Sequence, residues 1–199
     1  MAARRPLRKL DSASLRAQFS VVLIRPLALA AAIAVASPAF AALKPGAKAP
    51  DFVTTGAIAG KPFRLHLKRE LRNGPVVLYF YPKAFTKGCT LEARAFSQAM
   101  PEFRKAGARV IGMSADDLPT LKRFSVEECR NAFPVATASA ATIRAYDVSM
   151  PVVGRVKRMT NRTSFVIAED GRITFVYSDL DWSGHVEKTL AAVRALKKR

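Results

Sequence analysis

The feature that most constrains the fold is an unbroken apolar and aromatic run, VVLYFY, from Val76 to Tyr81. The turn signal Asn73-Gly74-Pro75 precedes this run, and Pro82 ends it. A run without polar alternation is typical of a strand that is covered on both faces, as in sheets with a helical layer on either side. We therefore predict a central strand here, with helices packed against both of its faces.

Two segments with helical periodicity follow the central strand. The first begins near Thr90, and its apolar side chains recur every three or four residues, but Pro101 predicts a bend or break near Met100. The second has Pro119 in its first turn and is expected to run to about Arg130. These segments supply the helical layers that the central strand requires.

Further strands and a final helix complete the pattern. ARVIGMSA, residues 108–115, predicts a second buried strand, and residues 163–177 predict a hairpin that turns at Asp170-Gly171. The tail from Ser183 to Lys198 has an apolar stripe at helical spacing. This order is that of an α/β protein, so we predict a central sheet flanked by helices, with a right-handed crossover between the first two strands.

The first 41 residues have the organisation of an export signal. Basic residues come first, followed by the apolar run LALAAAIAV at residues 27–35 and the small-residue site Ala39-Phe40-Ala41. The apolar run is too short for a permanent transmembrane helix. We therefore expect cleavage after Ala41 rather than a retained anchor, a periplasmic location, and a single mature domain at residues 42–199.

The chain is strongly basic, with a formal net charge of +18. Loss of the first 41 residues removes six basic residues and one acid, which leaves a charge of about +13. Such a surface favours anionic partners such as acidic lipid or nucleic acid, but the basic residues are scattered among all the predicted elements. We interpret the charge as that of a solvated protein and expect no specific nucleic-acid partner.

Cys89 is one of two cysteines in the chain, and it falls between the central strand and the next helix. Ligands in α/β folds bind beyond the carboxyl ends of the strands, where this connection lies. Free backbone N–H groups at a helix N-terminus favour thiolate over thiol, and Lys83 and Lys87 act in the same direction. The thiolate is the nucleophilic form. Position thus favours a reactive cysteine, with an inert buried residue as the alternative.

The spacing around Cys89 resembles a known active site. Pro82, Thr86 and Cys89 give the pattern P-x-x-x-T-x-x-C, which resembles the active site of the peroxiredoxins, nearest to the branch named for bacterioferritin comigratory protein. KPGAKAPDF at residues 44–52 and NRTSFVIAEDG at residues 161–171 resemble the opening segment and the arginine-bearing strand of that family. The resemblance implies a thioredoxin-like fold with a central mixed sheet, and a thiol peroxidase that needs no metal or organic cofactor.

The resemblance also implies roles for the main site residues. Cys89 would attack hydrogen peroxide or an alkyl hydroperoxide and become a sulfenic acid, which an external thiol or a thioredoxin-like protein would reduce. Arg162 would donate hydrogen bonds to both the thiolate and the peroxide. Thr86 would orient the peroxide through its hydroxyl group, and Pro82 would limit access of water to the sulfur.

Two further residues would support the site in this comparison. Glu92 matches a family position and would orient the arginine rather than move protons. Gly88 lies in the turn of residues 87–89, whose backbone N–H groups would complete an anion cradle. Taken singly, the residues around Cys89 have ordinary explanations, such as a loop threonine, a strand-ending proline or an exposed arginine. Their spacing around one cysteine is what favours the site.

The chain departs from this branch at the position of the second thiol. Many members carry a resolving cysteine five residues after the reactive one, and here that residue is Arg94. Cys129 is the other candidate, one helical turn beyond Ser125, where we place the resolving position of the thiol peroxidase branch. A bridge from Cys129 to Cys89 would require the helix carrying Cys89 to unwind at its N-terminus. An inert buried Cys129, with one-cysteine chemistry, is the alternative.

Two other functions are open on sequence grounds. A thioredoxin-like thiol-disulfide oxidoreductase would share the fold, although the chain has no C-x-x-C. A non-catalytic basic binding module could hold an anionic surface through its charge. Such a module would not need Pro82, Thr86, Cys89 and Arg162 together, which favours the peroxidase.

Two features match no catalytic position of the family. We expect His185, near the start of the last helix, to be exposed and without a catalytic role. The loop at residues 147–158 is rich in Val, Pro and Arg and either borders the site or forms a dimer surface. The sequence is therefore compatible with a monomer or a homodimer.

Overall fold

A mixed β-sheet forms the centre of the computed structural model, which describes residues 43–150 and 159–196. In chain order the strands are β1 (Val53–Ile58), β2 (Lys61–His66), β3 (Val76–Phe80), β4 (Arg109–Ser114), β5 (Val135–Thr137), β6 (Thr163–Ile167) and β7 (Ile173–Ser178). Within the described residues the sheet has seven strands in the order β2-β1-β5-β4-β3-β6-β7. β3 pairs parallel with β4 and antiparallel with β6, so it lies inside the sheet as the sequence predicts.

The helices are α1 (Leu67–Glu70), α2 (Lys87–Lys105), α3 (Leu118–Glu127), α4 (Ala140–Ala145) and α5 (His185–Leu196), and a 3-10 turn at Leu71–Asn73 follows α1. Side chains of α2, α3 and α5 share one buried cluster with Val77 and Tyr79 of β3. Side chains of α1 and α4 share a second cluster with Leu78 and Phe80. Alternate residues of β3 therefore face different helical layers, which confirms the α/β class and explains why the run VVLYFY is apolar throughout.

Of the bend or break predicted near Met100, the break is wrong, because α2 continues through Pro101 to Lys105. Proline removes one helical hydrogen bond at a cost of about 3 kcal/mol. Phe96, Met100 and Phe103 are buried in the core on either side of that position. Burial of each such side chain contributes about 1.5–3 kcal/mol, which together offsets the lost hydrogen bond and keeps the helix continuous.

The predicted end of the next helix at Arg130 is also wrong, because α3 ends at Glu127. Arg130 and Asn131 have φ angles of 51° and 60°, in the left-handed region that a right-handed helix excludes. Cys129 therefore lies in an irregular segment after the helix rather than on a helical face with Ser125. It is nevertheless buried in the same cluster as Phe124 of α3.

Two sequence predictions lie outside the described residues. The proposed signal, residues 1–41, falls there entirely, and residues 151–158 of the loop at 147–158 do so as well. Among the helices of residues 43–150 and 159–196, none combines the length and the apolar character that crossing a bilayer demands. The hairpin predicted for residues 163–177 is confirmed as β6 and β7.

Candidate active site

Cys89 lies in the first turn of α2, just beyond the carboxyl end of β3. Thr86 has the extended conformation of a residue that precedes a helix (φ −77°, ψ 150°), and its carbonyl accepts the N–H of Thr90 at 2.9 Å. Cys89 is therefore the third helical residue, where backbone N–H groups have no partner from a preceding turn. Its side chain is 1% exposed. The strand-to-helix connection thus buries a sulfur atom at the positive end of a helix dipole.

Hydrogen bonds from other strands hold the loop between β3 and α2 in place. The N–H of Ala84 donates to the carboxylate of Asp116 at 2.7 Å, and Asp116 follows β4. The hydroxyl of Thr160, just before β6, donates to the carbonyl of Tyr81 at 2.7 Å. Phe85 has a φ of 64°, an uncommon angle that requires support from its surroundings. The loop conformation that presents Cys89 is therefore fixed from two sides.

Arg162 approaches Cys89 from the residue before β6. Its Nη2 atom lies 3.6 Å from the Cys89 sulfur, its Nη1 atom donates to Oε2 of Glu92, and its Nε atom donates to the carbonyl of Leu180 at 2.9 Å. The guanidinium is thus held at three points, and Arg162 as a whole is 5% exposed. A fixed guanidinium next to the sulfur gives a negative charge on that atom a cationic partner in a water-poor site.

Gly88 allows the helix to come close to Arg162. A β-carbon at Gly88 would lie 3.1 Å from Nη2 of Arg162, closer than carbon and nitrogen atoms ordinarily pack. The absence of a side chain therefore lets the first turn of α2 approach the guanidinium face. This geometry shows that Gly88 leaves space for the arginine, whereas the anion cradle of backbone N–H groups at residues 87–89 stays a prediction.

Thr86 and Pro82 lie at the more open side of the site. The Thr86 hydroxyl donates to the carbonyl of Lys83 at 2.9 Å, so its proton is used within the loop. Its oxygen lone pairs can then accept a hydrogen bond from a ligand. Pro82 is half-buried at the end of β3. The structure places Arg162, Glu92 and Gly88 directly around Cys89, while Thr86 is exposed and has a contact with its own loop.

Glu92 lies one turn after Cys89 in α2 and is completely buried. Its Oε2 atom accepts from Arg162, whereas its Oε1 atom has no hydrogen-bond partner among the described residues. Burial raises the pKa of Glu92 to about 8, although the charge and hydrogen bond of Arg162 act in the opposite direction. Glu92 therefore accepts a hydrogen bond from Arg162 at a position that water does not reach, and its role in orienting the arginine stays a prediction.

The expectation that His185 is exposed is wrong, because the structure buries it completely. Its Nδ1 atom lies 3.8 Å from Oε1 of Glu92. The buried residues of α5 are His185, Thr189 and Val193, which are spaced four residues apart on one helical face. This spacing was visible in the sequence, but polar residue types at the first two positions obscured the inward face.

Cys129 is a free and completely buried thiol. It belongs to the same hydrophobic cluster as Cys89, and burial raises its pKa well above the ordinary value for a thiol. Arg94, at the position where a second thiol was sought, pairs through Nε with Oε2 of Glu128 at 2.7 Å. An ion pair between α2 and the residue before Cys129 thus occupies the place of the local disulfide.

This arrangement can stabilise an anionic sulfur and a second negative charge next to it. The helix N-terminus and the guanidinium both direct N–H groups toward Cys89. Contacts with Cys89, Glu92 and Leu180 use three of the five guanidinium N–H groups, which leaves one N–H on each of Nη1 and Nη2 that can donate to a ligand oxygen. No set of three or more His, Cys, Asp or Glu side chains within residues 43–150 and 159–196 is grouped to hold a metal ion. The site is suited to nucleophilic displacement by sulfur with charge stabilisation by Arg162.

Comparison with known proteins identifies close similarity over the described domain. The AhpC/TSA family matches residues 45–176. Peroxiredoxin Bcp of Xanthomonas campestris is 34% identical over 127 residues, which cover 62% of this chain and 79% of that protein. The range that the AhpC/TSA family matches contains the loop with Cys89 as well as Arg162.

Solved structures give the same result for the fold. Peroxidoxin BcpB from Mycobacterium tuberculosis has a TM-score of 0.67 and 34% identity, covering 77% of this chain and 98% of that one. The bacterioferritin comigratory protein of Xanthomonas campestris has a TM-score of 0.62 and 30% identity, covering 71% of this chain and 90% of that one. The likeness confirms the thioredoxin-like fold that the sequence resemblance implies.

Proposed function

Since the chain belongs to the AhpC/TSA family and is a peroxiredoxin, a thiol-dependent peroxidase, we propose that it is an exported enzyme whose Cys89 reduces hydroperoxides through a sulfenic acid. The observation that carries this proposal is the contact of 3.6 Å between Nη2 of Arg162 and the sulfur of Cys89. Hydrogen peroxide and alkyl hydroperoxides are the proposed substrates. An alkyl peroxide reduction activity is attributed to the Xanthomonas campestris bacterioferritin comigratory protein, which supports the second class.

The first chemical step is a displacement at the peroxide bond. The thiolate of Cys89 attacks the terminal peroxide oxygen, an S–O bond forms, and the O–O bond breaks. The bonding electron pair leaves on the second oxygen, which takes up a proton and departs as water or an alcohol. Sulfur is oxidised to the sulfenic acid and the peroxide is reduced. Negative charge moves from sulfur toward the leaving oxygen, and Arg162 can stabilise both positions.

Thr86 and Pro82 are assigned to the peroxide rather than to the sulfur. Because the Thr86 hydroxyl donates to Lys83, its oxygen is available to accept the O–H of a hydroperoxide, which orients the terminal oxygen toward Cys89. Pro82 covers the entrance with an apolar ring that offers no hydrogen-bond donor. Both assignments require a bound peroxide and rest on the positions of these residues around the loop.

We assign the resolving thiol to Cys129. It is the other cysteine of the chain, and it lies in the same buried cluster as Cys89. The two residues that follow it have left-handed backbone angles, so Cys129 lies in an irregular segment and its movement would not require a regular helix to be broken. After local unwinding, the Cys129 thiolate would attack the sulfur of the Cys89 sulfenic acid, so that an S–S bond forms and the S–O bond breaks. The hydroxide that leaves takes up a proton and departs as water. An external thiol or a thioredoxin-like protein would then reduce the disulfide.

One equivalent of hydrogen peroxide should convert the wild-type protein to a Cys89–Cys129 disulfide, because the second thiol lies in the same cluster. Mass spectrometry of the products after digestion measures this directly. The matched variant Cys129→Ser should instead accumulate sulfenic acid at Cys89, which an added sulfenic-acid trap captures. Sulfenic or sulfinic acid at Cys89 with a free Cys129 in the wild-type protein would refute the resolving role and establish one-cysteine chemistry.

Export is proposed from the signal-like pattern of residues 1–41. When the full chain is produced in a Gram-negative bacterium, we expect the mature protein in the periplasmic fraction, with Ala42 as its first residue. Intact mass and N-terminal sequencing of that fraction measure both points. Ala41→Asp, which puts a charge at the cleavage site, should block processing. Full-length wild-type protein confined to the cytoplasm would contradict the proposal.

A further inference from the structure

His185 is a buried histidine that the proposed chemistry does not use. Both of its ring nitrogens are engaged: Nδ1 lies 2.8 Å from the hydroxyl oxygen of Ser164, and Nε2 lies 3.0 Å from the carbonyl oxygen of Asp179. The Tyr177 ring packs against the imidazole with a centroid distance of 4.7 Å. The ring is therefore held in one orientation from three sides.

The partners of His185 determine its protonation. A carbonyl oxygen can only accept a hydrogen bond, so Nε2 carries the hydrogen and donates it to Asp179. Nδ1 then has a lone pair in the neutral ring, which accepts the hydroxyl proton of Ser164. Burial lowers the pKa of His185 to about 4, with the hydrogen bond to Asp179 acting in the opposite direction. His185 is thus a neutral ring with an unprotonated Nδ1 near neutral pH.

This tautomer leaves Glu92 with one donor. Oε1 of Glu92 lies 3.8 Å from Nδ1 of His185, and it is a buried atom without a hydrogen-bond partner among the described residues. Nδ1 presents a lone pair rather than an N–H to this oxygen, and the Ser164 proton is already used. A buried carboxylate with an unpaired oxygen is a poor anion, since neither water nor a second donor compensates its desolvation.

Arg162 serves two groups that can both be negative, the sulfur of Cys89 and the carboxylate of Glu92. One guanidinium cannot neutralise two buried anions. If Glu92 gained a second donor, its ionised form would become more stable and would compensate more of the arginine charge. If Glu92 stays a poor anion, the positive charge is available to the thiolate and to the peroxide oxygen.

Other ionisable groups also face this pair, and none supplies the missing donor. The groups from each neighbouring element are Cys89 from α2, Tyr79 from β3, Arg162 next to β6, Tyr177 and Asp179 at the end of β7, and Lys188 from α5. Lys188 is directed over the Tyr177 ring, with its Nζ atom 3.7 Å from the ring centroid. The Tyr177 hydroxyl donates to the carboxylate of Asp179.

We propose that His185 is a positioning residue of the active site: its neutral ring withholds a second hydrogen bond from Glu92, so that Arg162 is directed to Cys89. The inference rests on the proposed function insofar as Cys89 is the reacting group. His185 acts through Glu92, so two substitutions around the ring should shift the pH midpoint of Cys89 alkylation in opposite directions. A purely structural role for the ring gives no such difference of sign.

The test uses the pH profile of Cys89 alkylation by iodoacetamide, in a Cys129→Ser background so that one thiol reacts. His185→Asn places an amide N–H near the Nδ1 position, where it can donate to Glu92. The midpoint of the profile should then rise by about one pH unit. Ser164→Ala frees the Nδ1 lone pair to accept from protonated Glu92, which favours the neutral acid. The midpoint should then fall.

Each substitution is also combined with Glu92→Gln in the same protein. Both shifts of the alkylation midpoint should vanish in that background, because the mediating carboxylate is gone. Denaturant unfolding of every variant identifies those that fold. If His185→Asn does not fold, the shift of the midpoint in Ser164→Ala alone tests the proposal. Shifts of the same sign, shifts that persist with Glu92→Gln, or unchanged midpoints in folded variants would overturn the proposal. Alkylation requires no peroxide turnover, so this result is separate from the success or failure of the proposed peroxidase chemistry.

Discussion

Replacing Cys89 by serine is expected to abolish peroxide consumption and to leave the protein folded. A serine hydroxyl does not ionise near neutral pH and cannot be oxidised by displacement at an O–O bond, so the rate should fall by at least about 10³-fold. Serine has the same shape as cysteine with a smaller terminal atom, and Cys89 lies at the start of α2 rather than in its middle. Peroxide loss in the presence of a dithiol measures the effect.

The matched control for this substitution is Cys129→Ser. It makes the same chemical change in the same buried cluster, but in the proposed cycle Cys129 acts only after Cys89 has been oxidised. This variant should therefore still consume the first equivalent of peroxide at the wild-type rate. Turnover by folded Cys89→Ser would remove Cys89 from the mechanism, and equal losses in the two variants would point to a general disturbance of the core.

Replacing Arg162 by glutamine should give the second largest effect, a loss of about 10²-fold in the rate constant for oxidation of Cys89, typical for removal of a donor to developing charge. The guanidinium contacts the sulfur, Glu92 and Leu180 together, a set of contacts that no other side chain of residues 43–150 and 159–196 is seen to make. The oxidation rate constant should fall less in Arg162→Lys, since lysine keeps the charge but cannot make all three contacts. Stopped-flow mixing with hydrogen peroxide measures each rate.

The control for Arg162 is Arg172→Gln. Arg172 is exposed in the turn between β6 and β7 and pairs with Asp170 at 3.3 Å, so its loss should leave the oxidation rate unchanged. Loss of the hydrogen bond to buried Glu92, whose raised pKa of about 8 lets it take up a proton, should also lower the free energy of unfolding of Arg162→Gln by about 1–3 kcal/mol. A rate loss equal in both arginine variants would indicate long-range charge rather than the local contact.

The parts of the fold that sequence predicts are those with strong local signals. β3 is apolar at every position because both of its faces are covered, and the turn at Gly171 requires a φ of 81°. The strands β1, β2 and β5 gave no such signal. β1 has exposed and buried positions in no regular alternation, and β5 has three residues that are stabilised by distant partners in β1 and β4.

In the candidate site, too, local features could be predicted from the sequence and long-range contacts could not. The spacing of Pro82, Thr86 and Cys89 is local, and helical periodicity places the helix start near Thr90, close to its observed start at Lys87. The contact between Cys89 and Arg162 depends on the antiparallel register of β3 and β6, in which Phe80 lies opposite Thr163. Periodicity does not determine such long-range pairing, and only the family resemblance suggested it. The burial of His185 depends on packing of α5 against β6 and β7, which the polar residue type concealed.

The central claim is that Arg162 and Cys89 form a site for peroxides and not merely a reactive thiol. The most direct test is the ratio of two rate constants for Cys89, with hydrogen peroxide and with iodoacetamide, in the wild-type protein and in Arg162→Lys. If Arg162 stabilises the leaving oxygen as well as the thiolate, the ratio should fall by about 10-fold or more in the variant. An unchanged ratio would contradict the claim, because both reactions would then depend on Arg162 only through the thiolate.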